Sequence, residues 1–264
     1  MKAMSSRRFI VGQLVIVLAA IVAYFGVRGL TEGDPSIAHD NAEAVLAIER
    51  AVGLDIEHAL QQSIGSWDFV VTLSNWVYIW LHWPVIAFTL IWLARADRPH
   101  YADRPHYMEL RNAMIISGLI GLVIFATFPV APPRLFGAEY VDTVTERSHS
   151  YRVLQPPAFV NAYAAVPSLH FGWNLLVGVM WYKVARNRGW RLAALIMPVA
   201  MAWAVVATAN HWVFDVIAGG TVALCGLAIE RCVQRLDGRR GSRALDVRDS
   251  CPTSAAHSRL PLST

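Results

Sequence analysis

The sequence predicts an all-α, polytopic membrane protein with six transmembrane helices, and three observations lead to this prediction. First, 55% of the 264 residues are apolar, only 16% are charged, and the mean hydropathy is +0.40, whereas a soluble domain carries about 25% charged residues. Second, the apolar residues gather in stretches of the length that a bilayer crossing needs. Third, the basic residues sort by loop, as expected of a membrane topology.

The apolar stretches give six candidate spans: Phe9–Val27, Phe69–Leu93, Ala113–Val130, Leu169–Val184, Leu192–Ala209 and Trp212–Val233. The fourth stretch is short, and Asp215 and the Gly219-Gly220 pair interrupt the sixth. We expect one six-helix membrane domain over residues 1–237, with its core at about 67–233. Because residues 238–264 show no sustained periodicity, we expect them to form a disordered tail.

The loops predict the orientation of the chain. With a cytoplasmic N-terminus, 18 of the 23 Lys and Arg residues fall in the cytoplasmic segments. This positive-inside pattern predicts cytoplasmic N- and C-termini in a plasma or inner membrane. The net charge of +4 therefore reflects topology and the bilayer, and we expect no nucleic-acid partner.

Residues 37–64, between the first two spans, have helical periodicity. Val45, Ile48 and Val52 fall on one helical face, Ile56, Ala59, Leu60 and Ile64 fall on another, and Gly53 separates the two groups. We therefore expect two amphipathic helices on the outer membrane surface.

Three polar stretches fall at the outer ends of the predicted spans: "FPVAPPRLF" at 128–136, "AAVPSLHFGWN" at 164–174 and "ANHWVFDVIAGG" at 209–220. Short connections between neighbouring helices are expected to bring these ends together. One arginine, two histidines and one aspartate would then meet at one membrane face, where ionisable groups are usually paired or functional.

Each of these residues also has a simpler interpretation. Arg134 follows two prolines that stiffen the backbone, and it either faces an anion or meets lipid headgroups. His170 stands three residues after Pro167, where a helix commonly begins. Ser168 fits a helix N-cap better than a phosphate contact.

His211 and Asp215 have the most informative spacing. Residues at i and i+4 share a helix face, so the carboxylate can hold one imidazole nitrogen and orient the other. The residues alone leave three functions open: catalysis by a nucleophilic histidine, a metal-dependent hydrolase with His170, His211 and Asp215 as ligands, and a lipid or ion transporter that uses the cluster as a proton relay.

Three further polar side chains are weaker candidates. Arg147 and Arg152, in the outer loop 131–166, either close over an anion or are solvated. His82, within the second span, fits a hydrogen bond between packed helices better than a role in chemistry.

The motifs resemble a known family. "VPSLH" and "NHWVFD" look like the second and third signature motifs of the type-2 phosphatidic acid phosphatase superfamily. "FPVAPPRL", "YIWLHWP" and "VLQPPAFVNAYAAVPSLHFGW" are closer to its inositol-phosphorylceramide-synthase-like branch, that of the inositolphosphotransferases. The resemblance covers roughly Trp67 to Gly220.

This resemblance implies a six-helix core and an extracytoplasmic site without metal or cofactor, acting on a lipid-linked phosphate. It implies that His211 attacks phosphorus and forms a phosphohistidine, that Asp215 orients His211, and that His170 protonates the leaving oxygen. Arg134 would neutralise the phosphoryl oxygens.

The sequence departs from the broad superfamily where phosphate-binding cations are customary. Thr127 stands at the position of a lysine, Leu135 replaces a proline after the arginine, and Ala204-Val205 replaces a Ser-Arg pair. These departures favour the synthase-like branch or a substrate that carries less charge.

Overall fold

The computed structural model describes residues 6–31, 33–96, 105–147 and 161–249. The described residues form eleven α-helices: α1 (Ser6–Leu30), α2 (Pro35–Val52), α3 (Glu57–Gly65), α4 (Asp68–Trp80), α5 (Trp83–Ala96), α6 (Pro105–Thr127), α7 (Pro133–Phe136), α8 (Thr143–Arg147), α9 (Leu169–Val184), α10 (Arg188–Ala207) and α11 (Val213–Asp249).

Several of these helices have the length and apolar composition of membrane spans, which indicates an integral membrane protein. In the described part of the chain, three helices qualify singly, His106–Thr127, Arg188–Ala207 and Val213–Asp237. The predicted second span is two helices, α4 and α5, bent by 45°, and together they give a possible fourth span. The first predicted span lies in α1, where Val11–Val27 is an apolar segment too short to qualify. The fourth is α9, which has 16 residues and is about 24 Å long at 1.5 Å per residue, less than the ~30 Å hydrocarbon core. Six crossings remain a prediction.

Helices α6, α9 and α11 pack together, and α10 packs against α9. Two glycines allow α9 and α11 to approach closely. A Cβ on Gly219 would lie 2.2 Å from the carbonyl oxygen of Ser168, and one on Gly172 would lie 2.5 Å from that of Gly219. Small residues at such a contact bring two backbones together. The Gly219-Gly220 interruption of the last span is therefore a packing feature.

Helices α2 and α3 occupy the segment that was predicted to be amphipathic, and Gly53 ends α2 in the left-handed conformation at φ 72°. The predicted apolar face of α2 is wrong in part. Val45 is buried, but Ile48 and Val52 are half or more exposed, while Glu49 is buried. The buried face therefore contains a carboxylate, for which apolar periodicity gives no signal. A position on the membrane surface remains a prediction.

The disordered tail expected over residues 238–264 stays a prediction. Helix α11 continues to Asp249, so the predicted start of the tail at residue 238 falls inside a helix. Residues 250–264 lie outside the described residues.

Candidate active site

Backbone hydrogen bonds join the three polar stretches at one end of the helix bundle. Val130 and Ala164 form an isolated parallel β-bridge. The Arg134 N–H donates to the Ala209 carbonyl at 3.0 Å, and the Ser168 N–H donates to the Asp215 carbonyl at 2.9 Å. The segments therefore hold one another in place directly, and side chains from all three face one small volume.

The imidazole of His211 is oriented by two oxygen acceptors. Its Nδ1 lies 3.1 Å from Asp215 Oδ2 and 2.9 Å from the Ala165 carbonyl oxygen. Because both partners only accept hydrogen bonds when Asp215 is ionised, Nδ1 carries the proton and Nε2 keeps the lone pair. His211 is thus in the tautomer that a nucleophilic Nε2 requires, and it also lines the cavity described below.

The contact between His211 and Asp215 arises differently from the way the i, i+4 spacing predicted. His211 precedes α11, which begins at Val213, so the two residues do not share a helix face. The Asp215 carboxylate instead reaches back over the start of the helix, where Oδ2 also accepts the Trp212 N–H at 2.9 Å. One oxygen therefore holds both the imidazole and the backbone before the helix.

The His170 ring lies 6.0 Å from the His211 ring, centroid to centroid. It stacks against Tyr78 at 4.5 Å and lies 4.3 Å from the His82 ring at a tilt of 34°. The Asn174 side-chain amide donates to the His170 carbonyl at 2.9 Å and lies 3.4 Å from His82 Nδ1. The contact with Asn174 on α9 is the kind of hydrogen bond between packed helices that the sequence favoured for His82, and the His82 ring also packs against His170 and Trp173.

A cavity of about 40 Å³ lies between these groups, and Arg134, His170 and His211 all line it. At about three times the minimum for one water molecule, this volume suits a small polar group. Arg134 is the only Lys or Arg in the described part of the chain that lines the cavity. Its Nε lies 3.4 Å from Asp142 Oδ2, a partner that the sequence did not suggest.

The remaining predicted site residues lie elsewhere. Ser168 is the N-cap of α9, with its hydroxyl oxygen 3.5 Å from the Phe171 N–H that donates to it, and it is not among the described residues that line the cavity. Arg147 donates to Asp68 Oδ1 at 2.7 Å in an exposed ion pair away from the cavity. Arg152 lies outside the described residues. A phosphate contact for any of the three stays a prediction.

Two buried glutamates that the sequence did not single out hold the start of α11. Glu57 Oε1 accepts the Val213 N–H at 2.8 Å, and Glu49 Oε1 accepts the Phe214 N–H at 2.6 Å. With Asp215 on the Trp212 N–H, three carboxylates accept three successive backbone N–H groups. These are the donors that a helix start leaves without intrahelical partners.

Burial dominates the electrostatics of this glutamate pair. It raises the pKa of Glu49 from 4.5 to about 8 and also raises the pKa of Glu57, and the proximity of Glu57 adds to the effect on Glu49. Each residue is 1% exposed, and Oε2 of each has no hydrogen-bond partner among the described residues. At neutral pH, Glu49 is therefore mainly a neutral acid.

The sequence held a signal for some of the missed neighbours and none for others. Tyr78 and His82 are four residues apart in the quoted "YIWLHWP", a spacing at which two rings can flank a third. Glu49 and Glu57 stand in helices with ordinary amphipathic patterns, and only tertiary docking makes them buried.

Comparisons with known proteins agree with this arrangement at the level of a family. A family model described as the PAP2 superfamily matches residues 43–229, more than half of the chain. The matched range includes α2 from residue 43 onward and all of α3, as well as all three polar stretches. Neither the curated proteins nor the solved structures gave a match. The chain belongs to the PAP2 superfamily, whose members are phosphatase-type enzymes.

Proposed function

We propose that the protein is a membrane-embedded phosphatase or phosphotransferase that acts on a lipid-linked phosphate through a phosphohistidine on His211, without a metal ion. One observation carries the proposal. The Nδ1 proton of His211 is shared between Asp215 and the Ala165 carbonyl, and the same imidazole lines a small cavity with His170 and Arg134.

In the first step, the lone pair of His211 Nε2 attacks phosphorus, and the bond from phosphorus to the leaving oxygen breaks. His170, as imidazolium, gives its proton to that oxygen, and Arg134 offsets the charge on the phosphoryl oxygens. In the second step, neutral His170 takes a proton from water or an alcohol, whose oxygen attacks phosphorus while the P–N bond breaks. His211 is then neutral again and His170 is protonated, so the cycle closes.

The site has fewer cations than the broad superfamily, and this supports the synthase-like branch. Thr127, at the position of the customary lysine, donates its hydroxyl to the Val123 carbonyl and does not line the cavity. Ala204 and Val205 are buried in α10. One arginine in the cavity suits a phosphodiester, with one negative charge, better than a phosphomonoester dianion. We place the site on the extracytoplasmic side, following the predicted topology.

The first test uses the purified protein in detergent micelles with a panel of lipid phosphates and phosphodiesters. We expect the wild-type protein to release phosphate or headgroup. His211→Gln should lose activity by at least about a thousandfold, because substrate binding alone cannot replace the nucleophile. Wild-type protein should form an acid-labile phosphoenzyme at His211, observable by mass spectrometry. His58→Gln, on α3 outside the cavity, is the matched control. Undiminished turnover in His211→Gln would contradict the proposal.

Two additions separate related functions. EDTA should leave turnover unchanged. Loss of turnover in the presence of EDTA would favour a metal-dependent hydrolase. In the described residues, no group of three or more His, Cys, Asp or Glu side chains is arranged to hold one metal ion. Added inositol should divert the transferred phosphoryl group from water to an alcohol if the enzyme is a transferase, and should leave the products unchanged if it is a phosphatase.

A further inference from the structure

A long apolar groove runs between α1, α5 and α6. Its volume is about 220 Å³, and aliphatic and aromatic side chains form nearly all of its wall. Along α6 it extends from Arg111 to Leu122, about 17 Å at 1.5 Å per residue. Leu119 lines the groove and is 58% exposed, so the groove opens to the outside of the helix bundle.

One end of the groove lies next to the cavity of the candidate active site. Tyr24 on α1 lines both of them. On α6, Leu122 lines the groove, and Phe125, one turn later, lines the cavity. On α9, Trp173 lines the groove and His170, one turn earlier, lines the cavity. Three helices therefore contribute side chains to both, and the two spaces are direct neighbours.

The other end of the groove is polar. Arg111 lines it there and donates hydrogen bonds to Gln13 Oε1 and to Asn112 Oδ1. Asn112 in turn donates to Glu230 at 2.9 Å. A hydrocarbon chain that enters from the active site thus meets only apolar wall until it reaches this hydrogen-bonded group.

We propose that this groove, the tail groove, holds one hydrocarbon chain of the lipid substrate while the phosphate lies beside His211. The inference rests on the proposed function and specifies its substrate as a lipid whose phosphate is close to an extended apolar chain. The volume supports a chain, since an apolar cavity of ~150 Å³ already holds a benzene-sized ligand. Between Arg111 and the end beside the active site, a phosphate headgroup would find almost no polar partner in the groove.

The role of the tail groove is positioning. A chain that moves from a bilayer or micelle into the groove gains little hydrophobic free energy, because lipid is as apolar as the groove. A seated chain instead fixes the distance between phosphorus and His211 Nε2, on which the rate of attack depends strongly. Filling the groove should therefore slow the reaction of long-chain substrates and leave a substrate without a tail unaffected.

The test compares two phosphodiesters, a long-chain alkyl methyl phosphate (the alkyl phosphate) and phenyl methyl phosphate (the phenyl phosphate), which has no tail. Ala87→Trp, from α5, fills the groove, and Ile91→Trp, on the same helix but 51% exposed and outside the groove, is the matched control. We expect Ala87→Trp to lower kcat/KM for the alkyl phosphate by about tenfold, because even a small displacement of phosphorus from His211 Nε2 slows the attack. The phenyl phosphate rate should change by less than about twofold, and Ile91→Trp should alter neither.

The outcomes separate the tail groove from the proposed function. An equal fall for both substrates, or no fall for either, would overturn the tail groove while the phosphatase assignment stands. If wild-type protein turns over neither substrate, nor any lipid phosphate or phosphodiester tested, the proposed function fails and the inference fails with it. Ala20→Trp fills the groove from α1 if Ala87→Trp does not fold. A wild-type protein labelled by an alkyl phosphate with a photoactivatable tail should carry the label on α1, α5 or α6, and labelling of α10 alone would contradict the proposal.

Discussion

The two ends of the bundle of α6, α9 and α11 hold their buried carboxylates in different ways. At the end where α6 begins and α9 finishes, Glu109 is almost fully buried. Its two oxygens accept hydrogen bonds from Lys183 Nζ at 2.6 Å and from Arg231 Nε at 2.7 Å. Both cations are partly exposed, so each charge in this group has a partner or water.

The other end lies about 21 Å away, since α9 runs from residue 169 to beyond Lys183 at 1.5 Å per residue. There Glu49, Glu57 and Asp215 are each at most 1% exposed. None of the three has a Lys or Arg partner within the described ranges, and one oxygen of each has no hydrogen-bond partner there. These carboxylates are held by backbone N–H groups at the start of α11 and, for Asp215, by His211.

The Glu109 end of the bundle is therefore built for stability, and the site end is not. Buried polar atoms without partners are rare and cost free energy. The site end retains one such oxygen on each of its three carboxyl groups, and Asn174 Oδ1 beside His170 is a fourth. There a carboxylate must both hold the backbone of α11 and orient an imidazole. A Lys or Arg placed there would stabilise the carboxylates, but it would compete with His211 for Asp215. Substitutions at the two ends should therefore have different consequences.

The largest effect is expected for Asp215→Asn. The amide keeps the size of the side chain but has no negative charge, so an amide oxygen turned to Nδ1 and the Trp212 N–H no longer offsets the charge that develops on the imidazole. An NH₂ group turned to Nδ1 instead favours the tautomer with the proton on Nε2. His211 would then lack the lone pair that attacks phosphorus. We expect kcat to fall by about 10³–10⁴-fold, as in other sites where a carboxylate fixes a histidine tautomer, with phosphoenzyme formation slowed equally. Asp40→Asn, at an exposed position of α2, should have no effect, and wild-type activity in Asp215→Asn would exclude the orienting role.

Arg134→Gln should have the second-largest effect. The substitution removes the only Lys or Arg of the described residues that lines the cavity, and loss of one donor to developing negative charge costs about 10²–10³-fold in kcat. Arg134→Lys should recover only part of this loss, because an ammonium group keeps the charge without the planar fork. Arg50→Gln, which removes an exposed pair with Asp55, is the control. If Arg134→Gln kept full activity, the phosphate charge would have to be offset by another part of the chain.

The difference between the two ends also explains how much the sequence could predict. The spacing of His211 and Asp215 and the prolines before Arg134 and His170 are local signals, and they identified residues that the structure brings together. The roles of these residues in catalysis remain predictions. Glu49 and Glu57 gave no signal, because a glutamate in a short amphipathic helix is usually exposed, and its burial depends on how α2 and α3 dock against α11. For the same reason, Asp142 as the partner of Arg134 could not be predicted.

The stability of the folded protein should depend on pH through Glu49. A carboxyl group whose pKa is higher in the folded state binds its proton more tightly there, so its stabilising contribution is complete below the unfolded pKa and is lost as pH rises. For Glu49 the window runs from 4.5 to about 8. The acidic groups that face Glu49 are Glu57 on α3 and Asp215 on α11, and Asp55 acts on Glu57. Each of them disfavours a negative charge on the glutamate pair. We therefore expect the melting temperature of the wild-type protein in micelles to fall across this window.

Glu49→Gln should flatten this fall. The glutamine amide has no proton to lose, and its carbonyl oxygen can still accept the Phe214 N–H. We expect Glu49→Gln to melt about 2–4 °C above the wild-type protein near pH 8, equivalent to ~1 kcal/mol in a chain of this size. Glu43→Gln, at an exposed position of α2, should keep the wild-type slope. An unchanged slope in Glu49→Gln would mean that another group causes the pH dependence.

The smallest effect is expected at the opposite end, for Lys183→Met. Glu109 keeps Arg231 as a partner, and a partly exposed ion pair contributes about 0.2–1 kcal/mol, so the melting temperature should fall by at most about 4 °C. Adding Arg231→Met leaves Glu109 buried without a cation, and the double substitution should destabilise the protein by more than the sum of the two single ones. In each case kcat measured below the melting temperature should stay within about twofold of the wild-type value, since the site lies at the far end of the helices. If kcat fell in proportion to stability, the two ends would be coupled through α9 and α11, and the separation between a stabilising end and a reactive end would not hold.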